Sequence, residues 1–411
     1  MKQTVTDTML MPTYVSRFSC IGGDCEDTCC AGWGVTLDKG TFLHYQSCFD
    51  PVLRPLFTSY VKRYEHSKAD HDYGHIELQK DACKSCGLLS EKKLCRIHER
   101  IGEEALSDTC AYYPRTVHHL GDLHQVVLTL SCPEAARLAL LAEDAFGFVG
   151  EERTFSLDYI SQVQPRHGFS LAAMDDIRTL LFQILRSPDI TLSNRLKVIG
   201  HDCERLTTLI QKQQLGAMPE FLLSLEAELE SGAAMNPLVG LAELPEVQAQ
   251  ITAVTFMGFL TARKQSHTPH VRDVLGEVTR GLGLKEGVPM DGPALIRAYE
   301  LGLSRLAPAM AAVPWLLEHY VLNETLRELF PWGQESPKQH YATVVIRFAM
   351  VRLLLAGRAA ARETTLTPAE LAETVQVACR HYHHDAHFTK FALENLAAAG
   401  WDSLERLQTL L

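Results

Sequence analysis

The stretch Cys20-Ile21-Gly22-Gly23-Asp24-Cys25-Glu26-Asp27-Thr28-Cys29-Cys30 decides how this chain is read, because four of its twelve cysteines fall there in the spacing C-x4-C-x3-C-C. Two glycines let the backbone curl, and acidic residues stand where a packed strand or helix would place apolar ones. The pattern predicts a loop wrapped around a metal, with thiolates as ligands.

Outward from that loop the cysteines stay concentrated. Cys48, Cys83, Cys86, Cys95, Cys110 and Cys132 follow, and only Cys203 and Cys379 lie in the remaining two thirds. Those last two read as small buried apolar residues. The second group runs through Asp81-Ala82-Cys83-Lys84-Ser85-Cys86-Gly87, Leu94-Cys95-Arg96-Ile97-His98 and Thr109-Cys110-Ala111-Tyr112-Tyr113-Pro114-Arg115. Residues 91–106 have helical composition, which would set Cys95 and His98 three apart on one face. Cys83-x2-Cys86 alone has the paired spacing of a zinc site, and the first group is denser than one zinc ion needs. The adjacent Cys29 and Cys30 cannot easily point at one small ion, whereas a larger cluster or two centres could use both. An iron-sulfur cluster is therefore the leading expectation, with zinc or mononuclear iron as alternatives.

At 411 residues, 46% hydrophobic and 22% charged, the chain has the composition of a soluble globular protein with room for two or three domains. No apolar run reaches the ~20 residues of a membrane span, and Met1-Lys2-Gln3-Thr4-Val5-Thr6-Asp7 lacks the pattern of a signal peptide. A cytoplasmic location is expected. Thiols are kept reduced there, so clustered cysteines favour metal over disulfides. The net charge of -11 argues against nucleic-acid binding and suits a partner that carries basic groups.

Local patterns give the organisation. Residues 1–19 form an extended entry, 32–37 a short strand, Asp38 the N-cap of a helix through Phe42 and Tyr45, and Ile76 and Leu78 a further strand. Thr116 to Leu130 reads as a hairpin turning at Leu120-Gly121-Asp122, and Cys132-Pro133-Glu134 opens a helix. From about residue 150 helical patterns succeed one another: Asp175–Arg186, Leu192–Gln214, Met218–Leu229, Glu246–Arg263, Pro293–Leu306, Pro314–Phe330, His340–Ala361 and Pro368–Ala398. Gly232, Pro237, Gly281, Gly283, Pro331, Pro337 and Pro368 punctuate them. The predicted fold is mainly α. A cysteine-rich metal-binding module with a few short strands spans residues 1–145, and an all-helical domain for substrate or partner binding spans 146–411.

Other motifs narrow the chemistry. The C-x3-C-x2-C triad of common radical S-adenosylmethionine enzymes fails because Gly32 stands where its third cysteine would be. No strand leads into G-x-G-x-x-G, and Gly281-Leu282-Gly283 reads as a helix stop. His383 and His387 are four apart, but no Glu follows the first as in H-E-x-x-H, so His381–His387 reads as a polar helix face or interdomain contact. Trp315, Glu318, Tyr320, Asn323 and Phe330-Pro331-Trp332 read as core and capping.

Taken together, Phe18-Ser19-Cys20, Cys25-Glu26-Asp27-Thr28-Cys29-Cys30-Ala31-Gly32-Trp33, Cys86, Cys95-x-Ile97-His98, Cys110-x-x-Tyr113-Pro114-Arg115 and Ser131-Cys132-Pro133-Glu134-Ala135-Ala136-Arg137 resemble the flagellin lysine-N-methylase (FliB) family. Asn323 and Phe330-Pro331-Trp332 look like its C-terminal region. The front third is also similar to smaller zinc- or iron-chelating proteins with a C-C-CC group. The resemblance implies transfer of a methyl group from S-adenosylmethionine to the ε-amine of surface lysines on flagellin. It also implies an iron-sulfur cluster of the 4Fe-4S type, held from among Cys20, Cys25, Cys29, Cys30, Cys86, Cys95, Cys110 and Cys132, with Cys25, Cys29, Cys86 and Cys95 foremost. Cys48 and Cys83 fit that pattern less well. Tyr112, Tyr113 and His98 are candidate bases through their nearness to the cysteines. The rival reading is a non-catalytic metal-chelating or sensing module fused to a helical interaction domain.

Overall fold

Two hydrophobic cores organise the computed structural model, which describes residues 3–67, 69–231, 244–262, 268–383 and 386–411. The larger runs from Met9 to Leu411, and the buried members of the smaller lie between Val35 and Leu106.

The larger core is built on a five-stranded sheet of order β7-β1-β6-β5-β8. Its members are β1 (Thr4–Pro12), β5 (Arg115–Leu120), β6 (Leu123–Leu128), β7 (Phe148–Ser156) and β8 (Ser161–Gln162). The predicted hairpin is β5–β6, closed by Gly121 and Asp122, and Gly121 takes the left-handed φ of +61° that such a two-residue loop needs. Strand β1 runs parallel to β6 and antiparallel to β7 over the register from Thr4↔Ser156 to Pro12↔Phe148. The smaller core lies under the sheet β2 (Val35–Leu37), β4 (Gly74–Ile76), β3 (Val61–Arg63), paired in that order. Tyr45 and Phe57 stack at its centre with ring centroids 4.5 Å apart.

Short helices join these strands: α1 (Thr13–Ser16), α2 (Lys39–Gln46), α3 (Leu53–Tyr60), α4 (Arg96–Ile101), α5 (Asp108–Tyr112) and α6 (Pro133–Leu141). Asp38 caps α2 by accepting from the Thr41 amide at 2.9 Å, and Pro133 occupies the first turn of α6, both as expected. The later helices are α7 (Leu171–Leu185), α8 (Leu192–Gln211), α9 (Met218–Ser231), α10 (Pro245–Ala262), α11 (Pro269–Gly281), α12 (Gly292–Ala312), α13 (Leu316–Arg327), α14 (Pro337–Ala360), α15 (Pro368–Ala378), α16 (Ala386–Ala398) and α17 (Leu404–Gln408). Helix α14 is buried on all its faces, so it runs through the middle of the bundle. Helices α11 and α12 approach it closely, because a Cβ at Gly281 or Gly302 would lie 1.9 Å from Gly357 O or 2.1 Å from Ala356 O.

Helix α13 docks on the sheet through polar groups that the core encloses. Asn323 is fully buried, donates to Leu128 O at 3.0 Å and accepts from the Tyr14 hydroxyl at 2.5 Å. Trp332 is likewise buried and donates to Met174 O at 3.0 Å. The reading of this region as core and capping matches these contacts.

Four expectations are corrected. Residues 91–95 are not helical: the Ser90 hydroxyl accepts from Leu94 N, Lys93 takes a φ of +58°, and Cys95 becomes the N-cap of α4. The region after residue 146 is not all helical, since β7 pairs along β1 and β8 along β5. The charged Glu151-Glu152-Arg153 of this edge strand hides its alternation. The long pattern Pro368–Ala398 breaks at a π turn over Cys379–His383. Helices α3 and α11 form where no helix was predicted. Gly232, Pro237, Arg263, His384 and Asp385 lie outside the described residues.

Candidate metal centre and the cleft beside it

The cysteine loop is shaped by short backbone contacts rather than by regular structure. Gly22 turns with φ +58°, and a Cβ at Gly23 would come within 2.7 Å of Lys92 O. Beyond the loop, Ala31 bridges Ser85, Gly32 N donates to Lys84 O at 3.1 Å, and Cys86 N donates to Cys30 O at 2.7 Å. Cys86 in turn bridges Leu78, and Leu89 bridges Cys95. Cys110 sits on α5, capped by Ser107, and Cys132 is the N-cap of α6.

These contacts bring seven thiols together. Cys29, Cys30, Cys86, Cys95 and Cys110 are electrostatic neighbours, and Cys25 and Cys132 form a second group that shares Cys29. All twelve cysteines are free. Burial pushes Cys25 and Cys86 up to about 11 and Cys110 and Cys132 up to about 12, and it raises Cys95. Cys110 keeps some accessible surface although protein atoms crowd its sulfur. Cys29 differs: the Cys30 thiol donates to its sulfur and Arg380 stands nearby, so its thiol falls to about 7 despite burial. The same hydrogen bond, then burial, drives Cys30 far up.

The other cysteines stand apart from this arrangement. Cys20 is exposed, accepts from Gly22 N at 3.4 Å and lies near Arg115. Cys48 packs against the smaller core, and Cys83 sits in a turn held by Asp81. Cys203 and Cys379 are buried, as expected of apolar fillers. Among the described residues no three His, Cys, Asp or Glu side chains are set as the ligands of a single ion. The chemistry of the donors nevertheless fits a sulfur-ligated cluster: soft, desolvated thiols from separate loops converge around Cys29, with Arg380 as the neighbouring cation that lowers it.

The residue that anchors the loop is Asp27, which the motif reading passed over. Its side chain is fully buried and accepts from Thr268 Oγ1 at 2.8 Å and Gln376 Nε2 at 2.9 Å, with Arg380 Nε at 3.2 Å. Arg380 also donates to Thr28 O at 2.9 Å and Ala31 O at 3.0 Å. Gln376 on α15 and Arg380 in the π turn thus grip the cysteine loop from the far end of the chain. The available signal was a Gln and an Arg four apart, Gln376 and Arg380, flanking the apolar Val377-Ala378-Cys379.

The candidate bases separate in the fold. Tyr113 faces the thiols: its hydroxyl is 3.0 Å from Ser131 Oγ, its ring lies 5.7 Å from Trp33, and burial beside Cys132 holds it protonated. Tyr112 accepts from Ser156 N at 2.9 Å, and His98 is exposed on α4. His381 packs edge-on against Phe259, so part of the predicted polar face is buried. The His383 side chain lies outside the described residues.

Beside the Cys25 and Cys132 side of the centre lies a cleft of about 150 Å³, lined by Glu26, Pro133, Arg137, Ala369, Glu370, Glu373 and Gln376. Residues 178–410 match the model of the FliB lysine N-methylase C-terminal domain, which therefore takes in α15, Gln376 and Arg380. The chain belongs to the FliB lysine N-methylase family. Among that family's relatives, a lysine-N-methylase of Salmonella typhimurium is 25% identical over 85% of this chain and 86% of its own length. One of Salmonella choleraesuis is 24% identical over the same shares. The flagellar biosynthetic protein FliU of Salmonella muenchen is 36% identical over 36% of this chain and 86% of its own length. No solved structure matches.

Proposed function

We propose that this protein is a lysine N-methyltransferase that moves a methyl group from S-adenosylmethionine to the ε-amine of surface lysines on flagellin and depends on a cysteine-held iron-sulfur cluster. The observation that carries the reading is the similarity to proteins named lysine-N-methylase over 85% of the chain. The flagellar name of a third relative supports flagellin as the substrate. No helix among the described residues is long and apolar enough to cross a membrane.

The cluster's ligands would come from Cys29, Cys30, Cys86, Cys95 and Cys110, with Cys25 and Cys132 on the side of the cleft. When bound, it supplies one-electron chemistry or an iron site able to contact the donor. The protein's own residues do the rest. Methyl transfer needs a lysine amine that has lost its proton and is held in line with the sulfonium methyl. Tyr113, kept protonated by burial, acts as a hydrogen-bonding group rather than as a base. Trp33, which donates to Cys29 O at 2.6 Å, holds the loop backbone in place.

The test begins with anaerobic purification, an absorption spectrum and iron, sulfide and zinc contents for wild type and Cys29→Ala. Methylation of flagellin is then followed by mass spectrometry with S-adenosylmethionine, with and without reductant. Brown protein with iron and sulfide in similar amounts, lost in the variant, together with added methyl groups on lysine, is expected. Colourless protein holding zinc would rule out the cluster, and unmodified flagellin under every condition would rule out the enzyme.

A further inference from the structure

The guanidinium groups near the cysteine loop differ in what engages them. Arg137 is held by Glu26 and Glu134, Arg153 by Glu151 and Arg380 by Asp27. Arg115 is half-buried, yet among the described residues its guanidinium donates no hydrogen bond and meets no carboxylate at ion-pair distance. Its nitrogen atoms keep accessible surface, so a ligand can reach them. Burial and then the neighbouring Arg153 disfavour its charge and lower its pKa from the ordinary arginine range. Glu103, Tyr159 and Cys20 stand close enough to offset part of this without pairing with it. A half-buried cation with unused donors is costly, and an anion that reaches it removes the cost.

The shape of the vacancy around these donors follows from what holds the residue. Arg115 opens β5 opposite Leu128, and its carbonyl accepts from the Tyr159 hydroxyl, so the backbone is anchored on two sides. Its Cζ lies over the ring of Phe18, 5.2 Å from the centroid. A guanidinium resting on a ring has one face occupied, and its in-plane N–H groups are what a ligand can meet. That fork matches two coplanar oxygens, the geometry of a carboxylate.

Position ties the fork to the cysteine centre. Phe18 and Cys20 lead into the cysteine loop, and Tyr113, two residues before Arg115, is buried beside Cys132 with Cys29 nearby. Of the two reactants in the proposed methyl transfer, the lysine brings a cation, whereas the donor brings one carboxylate and no phosphate. An acidic protein surface would have to approach against the chain's net charge of -11, which a single small carboxylate feels far less.

We infer that Arg115 holds the α-carboxylate of the methyl donor, with its N–H fork on the two carboxylate oxygens. The assignment rests on the lysine-methylase reading above.

Titration calorimetry on the full chain, purified anaerobically, tests it with S-adenosylhomocysteine and with the same molecule lacking its carboxyl group, for wild type, Arg115→Gln and Arg115→Lys. Each protein is checked by its melting curve, and the KM for flagellin is measured alongside. Wild type is expected to bind S-adenosylhomocysteine about tenfold or more tightly than the decarboxylated analogue. Arg115→Gln should weaken S-adenosylhomocysteine by about ten- to a hundredfold, the size of a charge-assisted hydrogen bond, and leave the affinity of the analogue unchanged. Arg115→Lys keeps the charge without the fork and should fall between the two. It also keeps the test open if Arg115→Gln, which uncovers Phe18, unfolds. Equal binding of the two ligands to wild type overturns the inference, as does equal weakening of both by the substitutions, which marks a structural role. An unchanged affinity for S-adenosylhomocysteine with a raised KM for flagellin also overturns it, because the carboxylate then belongs to the protein substrate. Methylation with both quantities unchanged refutes the assignment and leaves the methylase reading standing. Carboxylate-dependent binding through Arg115 without methylation of flagellin keeps the assignment and removes the methylase reading.

Discussion

Replacing Asp27 by alanine should loosen the cysteine loop from the helices, and the contacts set the size of the effect. The carboxylate receives hydrogen bonds from Thr268 and Gln376 and an ion pair from Arg380, all out of solvent on its own side. Removing one member of a buried pair costs about 3–5 kcal/mol when the other charge is stranded. Arg380 is not stranded completely, because Thr28 O and Ala31 O still accept from it, and Gln376 keeps Ser131 O. Two charge-assisted bonds lost at about 1.5–3 kcal/mol each, less this residual satisfaction, give about 4 kcal/mol for Asp27→Ala. Asp27→Asn retains one acceptor and should cost about half as much. The assay is equilibrium unfolding in urea, reading the midpoint shift at constant slope. A cycle through Arg380→Ala and the double variant should return a coupling of at least about 1 kcal/mol. A loss below about 1 kcal/mol in Asp27→Ala, or additivity in the cycle, would refute the clamp.

Two further outcomes probe the body of the fold. Asn323→Leu removes the acceptor of the Tyr14 hydroxyl and the donor to Leu128 O inside the larger core, and should lower stability by about 2–3 kcal/mol in the same titration; a neutral result would mean that α13 docks by apolar packing alone. Glu277→Gln tests the acid limb of stability: partial burial would raise this carboxyl, but hydrogen bonds from Arg362 and Arg358 bring it below the ordinary range. A depressed folded value contributes stability above the unfolded pKa of about 4.3 and loses it as pH falls through the folded one. The melting-temperature gap between wild type and variant should therefore be full at neutral pH and close on acidification, and a pH-independent gap contradicts the ion pairs.

What could be read in the sequence followed how locally each signal was encoded. The β5–β6 hairpin was legible because Gly121 must take a left-handed turn between apolar runs, and α6 because Pro133 follows a free N-cap position. The helix at Cys95 was misplaced because the Ser90 hydroxyl and the left-handed Lys93 turn the chain just before it, a choice that composition does not carry. Strand β7 was missed because its exposure to solvent replaces alternation with charge, and its partner β1 lies more than a hundred residues earlier. At the site, the cysteines announced themselves by type. Asp27, Gln376 and Arg380 did not, since common residues acquire meaning only when the fold brings distant segments together.

Distant segments also set the electrostatics of the cysteine loop. Cys29 is lowered by Cys30 and by Arg380, so the electrostatics of the front loop are set partly by a side chain in the π turn after α15. A regular helix through Cys379–His383 would add no extra residue at this point and would rotate everything after it relative to Gln376. Gln376 and Arg380, four residues apart on one helical face, reach Asp27 and the loop carbonyls together. The sheet enforces the same interdependence, because a cut after residue 145 would strip β7 from the full length of β1 and uncover the face of α6 that α13 and α15 pack against. The cleft, the cysteine loop and the helical bundle therefore share one set of contacts, and a change in any of them is expected to be felt at Cys29.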